Sequence, residues 1–185
     1  RRKIIIVVFK QFLLHDRDMK NILFAWIGEN DLRAAHENGA KGLGPIFQAI
    51  TDSRYDEAVF LSDFPPGKTS FYLNWLNKEG FNNATLVNAD LGGNPTDYRA
   101  IYENAKHAVQ SRLENSSQRI HLTFHLSPGT PQMATIWVIL ANTHFKASLI
   151  QSSRERGVEK VNFPFSITAD YLPELLKKSA REITP

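Results

Sequence analysis

The strongest constraint on the fold of this chain is a change of hydrophobic period between residues 120 and 141. Ile120-His121-Leu122-Thr123-Phe124 alternates apolar and polar side chains, the signature of a strand with two unlike faces. Met133 to Ala141 then runs as a long apolar segment. Between the two stands His125-Leu126-Ser127-Pro128-Gly129-Thr130-Pro131-Gln132. Gly129 permits a tight turn and close approach of a ligand, and Thr130 can cap a helix. Pro131 suits the first helical position, where a missing N–H costs nothing. The stretch therefore reads as strand, tight turn, helix. Free amides of the first helical turn would point into the crevice beyond the strand's carboxyl end, where the helix dipole favours phosphate. The same features also describe a plain connecting turn with a good cap.

The rest of the chain repeats this alternation. Ile22-Leu23-Phe24-Ala25-Trp26 reads as a short buried strand that ends at Gly28-Glu29-Asn30-Asp31. A loop containing Gly39, Gly42 and Gly44 precedes a helix from about Pro45 to Ser53, and Ala58-Val59-Phe60-Leu61 is a second strand. Thr69 to Lys78 is helical and Ala84-Thr85-Leu86-Val87 is a third strand. Asn94-Pro95 opens a helix whose apolar stripe comprises Tyr98, Ile101, Tyr102, Ala105, Ala108, Val109 and Leu113. After the opening motif, Phe145 to Ser152 and Val158 to Phe165 read as two strands. Their link, Ser153-Arg154-Glu155-Arg156-Gly157, is short enough for an antiparallel hairpin.

Such alternation predicts an α/β fold: a Rossmann-like, doubly wound, mainly parallel sheet with a C-terminal antiparallel hairpin. Ligands bind such sheets beyond the carboxyl ends of the strands, at the topological switch point. The loops after strand one (Gly28 to Asp31), strand two (Ser62, Asp63) and strand four (Ser127 to Met133) should converge there.

Charge is unevenly placed. The formal net charge is +3, but residues 1–20 alone carry a balance of +4 and the remaining 165 residues −1. The body is close to neutral, a poor footprint for duplex binding by the whole domain. No cysteine is present, which removes disulfides, thiolate metal sites and cysteine nucleophiles. Residues 1–18 form a strand-prone extension. Its run Ile4-Ile5-Ile6-Val7-Val8-Phe9 is expected to pair with a sheet edge, and Met19 resembles a natural start. Lys10 interrupts the apolar stretch and no small-residue cleavage site follows, so a signal peptide is a poor reading. No run approaches the roughly 18 apolar residues needed to span a membrane, and a cytoplasmic location is expected.

Several motifs have two readings. Gly67-Lys68-Thr69 sits like the end of a phosphate-binding P-loop, but Ser62 replaces the earlier glycine and Pro65 and Pro66 remove two amides. Gly42-Leu43-Gly44 resembles a dinucleotide fingerprint without its preceding strand or third glycine. His121 and His125 share one strand face, yet no carboxylate at ligand spacing accompanies them, so no metal and no cofactor is expected. Ser127 lacks the Gly-x-Ser-x-Gly elbow of a hydrolase. Finally, Met133 to Ala141 leaves almost no polar face. A helix of that kind is covered on more than one side, by a two-fold partner or by another part of the chain.

Ser127-Pro128-Gly129-Thr130-Pro131-Gln132-Met133 running into an apolar helix resembles the signature of CRISPR-associated Rossmann-fold (CARF) domains, as does Gly28-Glu29-Asn30 after the first strand. His125 to Thr130, Ile136-Trp137 and Ala147-Ser148-Leu149-Ile150-Gln151-Ser152-Ser153 are similar to one branch, the N-terminal sensor domain of RtcR-type activators. Those are sigma-54-dependent regulators of an RNA-repair operon. Phe163-Pro164-Phe165-Ser166-Ile167 and Asp170 to Leu176 resemble the linker to an AAA+ ATPase in such activators. The resemblance covers roughly residues 20–176. It divides the chain into the 1–18 extension, a sensing domain over 19–168 and a linker over 169–185.

The resemblance implies a sensor and not a catalyst: a homodimer that binds cyclic oligoadenylate, or RNA with a modified terminus, in the crevice between subunits. It implies that Gly28, Glu29 and Asn30 line the first loop and that Ser127, Gly129, Thr130 and Gln132 contact phosphate and ribose. Ser62, Pro128 and Met133 join them as expected ligand-binding positions, with no catalytic residue and no metal ligand. Many relatives carry lysine where this chain has Pro131, which puts polyanion affinity and ring-opening nuclease activity in question. Contacts with sigma-54 RNA polymerase and DNA would belong to domains beyond Pro185. The rival expectation is a CARF-type ring nuclease or other small nucleotide-processing enzyme; a third is a dimerisation module without a ligand.

Overall fold

A computed structural model describes residues 19–162 of the chain. Six strands make one sheet: β1 (Met19–Trp26), β2 (Glu57–Ser62), β3 (Ala84–Asn88), β4 (Arg119–His125), β5 (Ala147–Ser153) and β6 (Gly157–Val161). Their order across the sheet is β3-β2-β1-β4-β5-β6, parallel throughout except for the antiparallel β5–β6 hairpin. Five helices connect them: α1 (Glu29–His36), α2 (Pro45–Asp52), α3 (Pro66–Lys78), α4 (Tyr98–Glu114) and α5 (Pro131–Thr143). This is the Rossmann-like arrangement that the alternation of periods predicts.

The central strand shows why the sequence chooses it. Ile22 to Ile27 is apolar at every position, because both faces of a strand in a doubly covered sheet are buried. Side chains alternate between two cores. Ile22, Phe24 and Trp26 join the core beneath α4 and α5, where Trp137 stacks on Phe124 at 4.5 Å. Leu23, Ala25 and Ile27 join the core beneath α1, α2 and α3, with Tyr72 and Trp75. α5 buries Met133, Ile136, Trp137 and Leu140, and its half-buried Val138, Ile139 and Ala141 pack against the same core as α4. Part of the second cover for this apolar helix thus comes from the same chain.

Polar groups fasten the amino-terminal edge of the sheet. Glu57 on β2 accepts from Lys20 Nζ of β1 at 2.7 Å and from Arg112 Nε of α4 at 2.8 and 2.9 Å, with Arg112 Nη2 also in contact. Burial alone would raise the Glu57 pKa; the Arg112 and Lys20 partners outweigh it and hold the carboxyl below its usual range.

Two local expectations are corrected. The segment after the first strand is not an extended loop: Glu29 to His36 is helical, entered directly from Gly28. The fourth helix begins at Tyr98 and not at Asn94-Pro95. Asp97 caps it, its carboxylate accepting from Arg99 N at 2.8 Å and Ala100 N at 3.0 Å, while the Asn94 side chain closes a turn on Thr96. Tyr98, the first residue of the helix, is about half exposed and takes no part in the core. The expected strand at residues 4–9, the end of the last strand beyond Asn162, and the 163–185 linker lie outside the described residues. Among the described residues no helix is long and apolar enough to cross a membrane.

Candidate functional site

β1 pairs with β2 on one side and β4 on the other, so the connections leaving β1 and β4 diverge across the sheet and open a crevice between their carboxyl ends. α1 starts on one lip and α5 on the other. A cavity of about 310 Å³ lies there, and Gly28, Glu29, Asn30, Ser127, Pro128, Gly129, Thr130 and Met133 all line it. Asp63 and Phe64 reach it from the loop after β2, so the three expected loops do converge. Two expected residues stand apart from the lining. Ser62 is buried and its hydroxyl accepts from Phe64 N at 3.1 Å, closing its own turn. Gln132 is half-buried on the first turn of α5, its side-chain oxygen buried without a partner among the described residues.

The turn after β4 has the predicted chemistry. Gly129 has φ of +87°, a conformation that a side chain would strain. Thr130 caps α5, its Oγ1 accepting from Met133 N at 3.3 Å and donating to the Pro95 carbonyl at 3.0 Å. Pro131 occupies the first helical position. The Ser127 hydroxyl bridges to β5, accepting from Ser152 N at 2.6 Å and donating to Ser152 O at 3.0 Å. Both hydroxyls are thus engaged within the protein. The amides of Gly129 and Gln132 have no acceptor among the described residues.

Asp31 is the residue that sequence reasoning passed over as a turn former. It is fully buried in the third position of α1, and its carboxylate accepts from Gly28 N at 3.0 Å and Ile46 N at 2.9 Å. One side chain thereby ties the β1 turn to the start of α2. Burial, partly offset by those amide donors, pushes its pKa up to about 7. A carboxylate three residues after a helix-opening glycine is the signal that would have found it.

His125 is also fully buried, its Nε2 2.5 Å from Ser152 Oγ. That hydroxyl donates to the Pro45 carbonyl at 3.3 Å, which leaves Nε2 to carry the imidazole proton. Nδ1 has no partner among the described residues, and burial pushes the pKa down to about 3, so the ring is neutral. His121 pairs with Ser148 at 2.8 Å, and the two histidines are structural members of the β4–β5 seam. Among the described residues no group of three histidines or carboxylates could hold a metal. Gly67-Lys68-Thr69 lies inside the first turn of α3, where Lys68 sits over the Phe64 ring and the Thr69 hydroxyl donates to Pro66 O. It forms no phosphate cradle.

No protein-family model matches the sequence, and no curated protein matches it. Solved structures do. The chain resembles Enterococcus italicus Csm6 bound to cyclic hexa-2'-fluoro-hexa-dAMP, with a TM-score of 0.57 and 17% identity over 90% of this chain and 39% of that one. It also matches Can2 from Sulfobacillus thermosulfidooxidans in complex with cyclic tetra-adenylate, with a TM-score of 0.49 and 11% identity over 80% of this chain and 39% of that one. The chain spans about two-fifths of the length of these proteins. At such identity, the likeness to Csm6 establishes a shared fold: a Rossmann-like sheet of mainly parallel strands.

Proposed function

We propose that this chain is a CARF-type ligand-sensing domain that takes a cyclic oligoadenylate, or the terminus of an RNA, in the crevice between β1 and β4. The observation that carries this reading is the meeting of the Gly28 and Gly129 turns at that crevice, where the Gly129 amide has no acceptor among the described residues. The motif at Ser127 to Met133 supports it, as does the cyclic nucleotide bound by a fold neighbour. The finer reading is the sensor of an RtcR-type, sigma-54-dependent activator, a homodimer in which ligand favours one subunit arrangement and so controls a downstream ATPase. Only differential affinity for two arrangements can produce such a shift.

A hydrolase that uses Ser127 as its nucleophile is disfavoured by the engagement of the polar groups. A nucleophile must lie within hydrogen-bond reach of its base, roughly 3 Å. The Ser127 hydroxyl is instead held by the Ser152 backbone, and the nearest-in-sequence histidine, His125, is buried against a different serine oxygen. Calorimetric titration with cyclic tetra- and hexa-adenylate and with short RNAs ending in a 2',3'-cyclic phosphate tests the proposal. Saturable heat from one class is expected, and absence of heat and of thermal shift from both would overturn it. Turnover of cyclic oligoadenylate that vanishes in Ser127→Ala would establish the enzyme instead.

A further inference from the structure

A second cavity, of about 360 Å³, adjoins the crevice and shares Asn30, Pro45 and Ser127 with it. The two differ sharply in charge. Among the described residues, the crevice is lined by three carboxylates, Glu29, Asp31 and Asp63, and by no lysine or arginine. Among the described residues, the second cavity is lined by Arg33, Lys41 and Arg154 against the carboxylate of Glu37. These cations come from α1, from the loop between α1 and α2, and from the β5–β6 turn, so tertiary folding gathers them.

We propose that this second cavity is the anion subsite of the crevice. It holds a phosphodiester through Arg33, Lys41 and Arg154 while the crevice itself holds the attached nucleoside. The inference rests on the nucleotide reading above and deepens it. A phosphate placed among Glu29, Asp31 and Asp63 meets two exposed or half-exposed carboxylates at close quarters, a repulsive arrangement. A nucleoside placed there meets Ile27, Phe64 and Met133 with its apolar faces, and carboxylate acceptors with its amino and hydroxyl donors.

The three cations are available to an anion. The Arg154 guanidinium donates to the Lys41 carbonyl at 3.2 Å and so draws the loop against the hairpin without neutralising its charge. Arg33 gives one nitrogen to Asn30 Oδ1 at 2.6 Å and keeps its remaining donors. The Lys41–Glu37 pair, 3.1 Å apart, is largely solvent-exposed on the lysine side and weak. A ligand that fills both cavities carries at least one phosphate beside its nucleoside, and its affinity depends on salt.

The test titrates cyclic tetra-adenylate and an RNA ending in a 2',3'-cyclic phosphate into the wild type, Lys41→Glu, Arg154→Glu, Arg154→Lys and the outlying Lys78→Glu. Each reversal in the cavity should weaken binding of the active probe about tenfold or more and flatten its salt dependence by a slope of about 0.7 per lost contact. Lys78→Glu should change neither, and Arg154→Lys should retain most of the affinity, which separates charge from folding. Inorganic tripolyphosphate, followed by the amide resonances of Gly42 and Gly44, probes the cavity without a base. Undiminished nucleotide binding in both reversals overturns the subsite and leaves the sensor reading standing. Tripolyphosphate shifts that Lys41→Glu abolishes, with no nucleotide bound, leave an anion site in the cavity but overturn both its role as a nucleotide subsite and the sensor reading. Silence from every probe overturns both.

Discussion

A Cβ placed on Gly28 would stand 2.8 Å from the amide nitrogen of Gly129, so the turn leaving β1 and the turn leaving β4 meet backbone to backbone. Neither side of that contact has a flexible group that could give way. Gly28→Ala should therefore force a backbone shift and cost about 1–3 kcal/mol. Gly129→Ala should be at least as costly, adding its φ of +87° to a contact 3.1 Å from Trp26 Cβ. Gly67, with nothing within 4 Å and a helical setting, should accept alanine with no loss of stability. Urea denaturation of the three variants checks the order, and both costly variants should lose nucleotide binding.

Asp31 and His125 make opposite contributions to stability against pH. Burial raises the Asp31 pKa from 3.8 to about 7, so its contribution is full below 3.8 and is lost as pH rises through about 7. Burial lowers the His125 pKa from 6.5 to about 3, so its contribution is full above 6.5 and is lost as pH falls through about 3. Between pH 4 and 6.5 the folded protein holds a proton on Asp31 that the unfolded chain gives up, and the unfolded chain holds one on His125 that the fold excludes. The two slopes cancel. Asp31→Asn should then show stability rising with pH by about 1.4 kcal/mol per unit across that window, and His125→Gln the reverse. Parallel pH profiles for wild type and both variants would refute the assignment.

Thr130 serves as cap and as tether to Pro95 at once. Thr130→Val keeps the shape and removes both bonds, and should cost about 1–2 kcal/mol. Thr130→Ser should restore most of it. Measured by thermal denaturation, a neutral Thr130→Val would show that the first turn of α5 holds without its cap.

How much the residues reveal before folding depends on how local the chemistry is. The β4–α5 unit can be read from residues 120–141 because its turn, cap and first-turn proline act on their immediate neighbours. α1 escapes because Gly28-Glu29-Asn30-Asp31 is rich in turn formers, and its anchor is a carboxylate bonded to Ile46 on another helix. The start of α4 is misplaced because Asn94-Pro95 and Asp97 both offer cap chemistry, and only the backbone decides which is used. The cationic cavity has no trace in spacing, since Arg154 reaches the Lys41 carbonyl through the hairpin turn. Sequence places the crevice; the distribution of charge around it needs the fold.

Glu57 offers the cleanest measure of how the sheet's amino-terminal edge is held. Its side chain is 12% exposed and those of Lys20 and Arg112 are 24% and 23% exposed, so the cluster lies between a solvated surface pair and a buried one. Glu57→Gln keeps the volume and removes the charge that both cations share. The expected loss is about 1–3 kcal/mol, above a surface pair and below a fully buried one. Because the folded pKa of Glu57 lies below its usual 4.5, this stability is present above that value and is lost as pH falls through the lower folded value. The difference between wild type and Glu57→Gln should therefore shrink in acid. A double-mutant cycle with Arg112→Ala should give a coupling of about 0.5–3 kcal/mol at neutral pH. A coupling of zero would mean that β1, β2 and α4 are fastened by their apolar contacts alone.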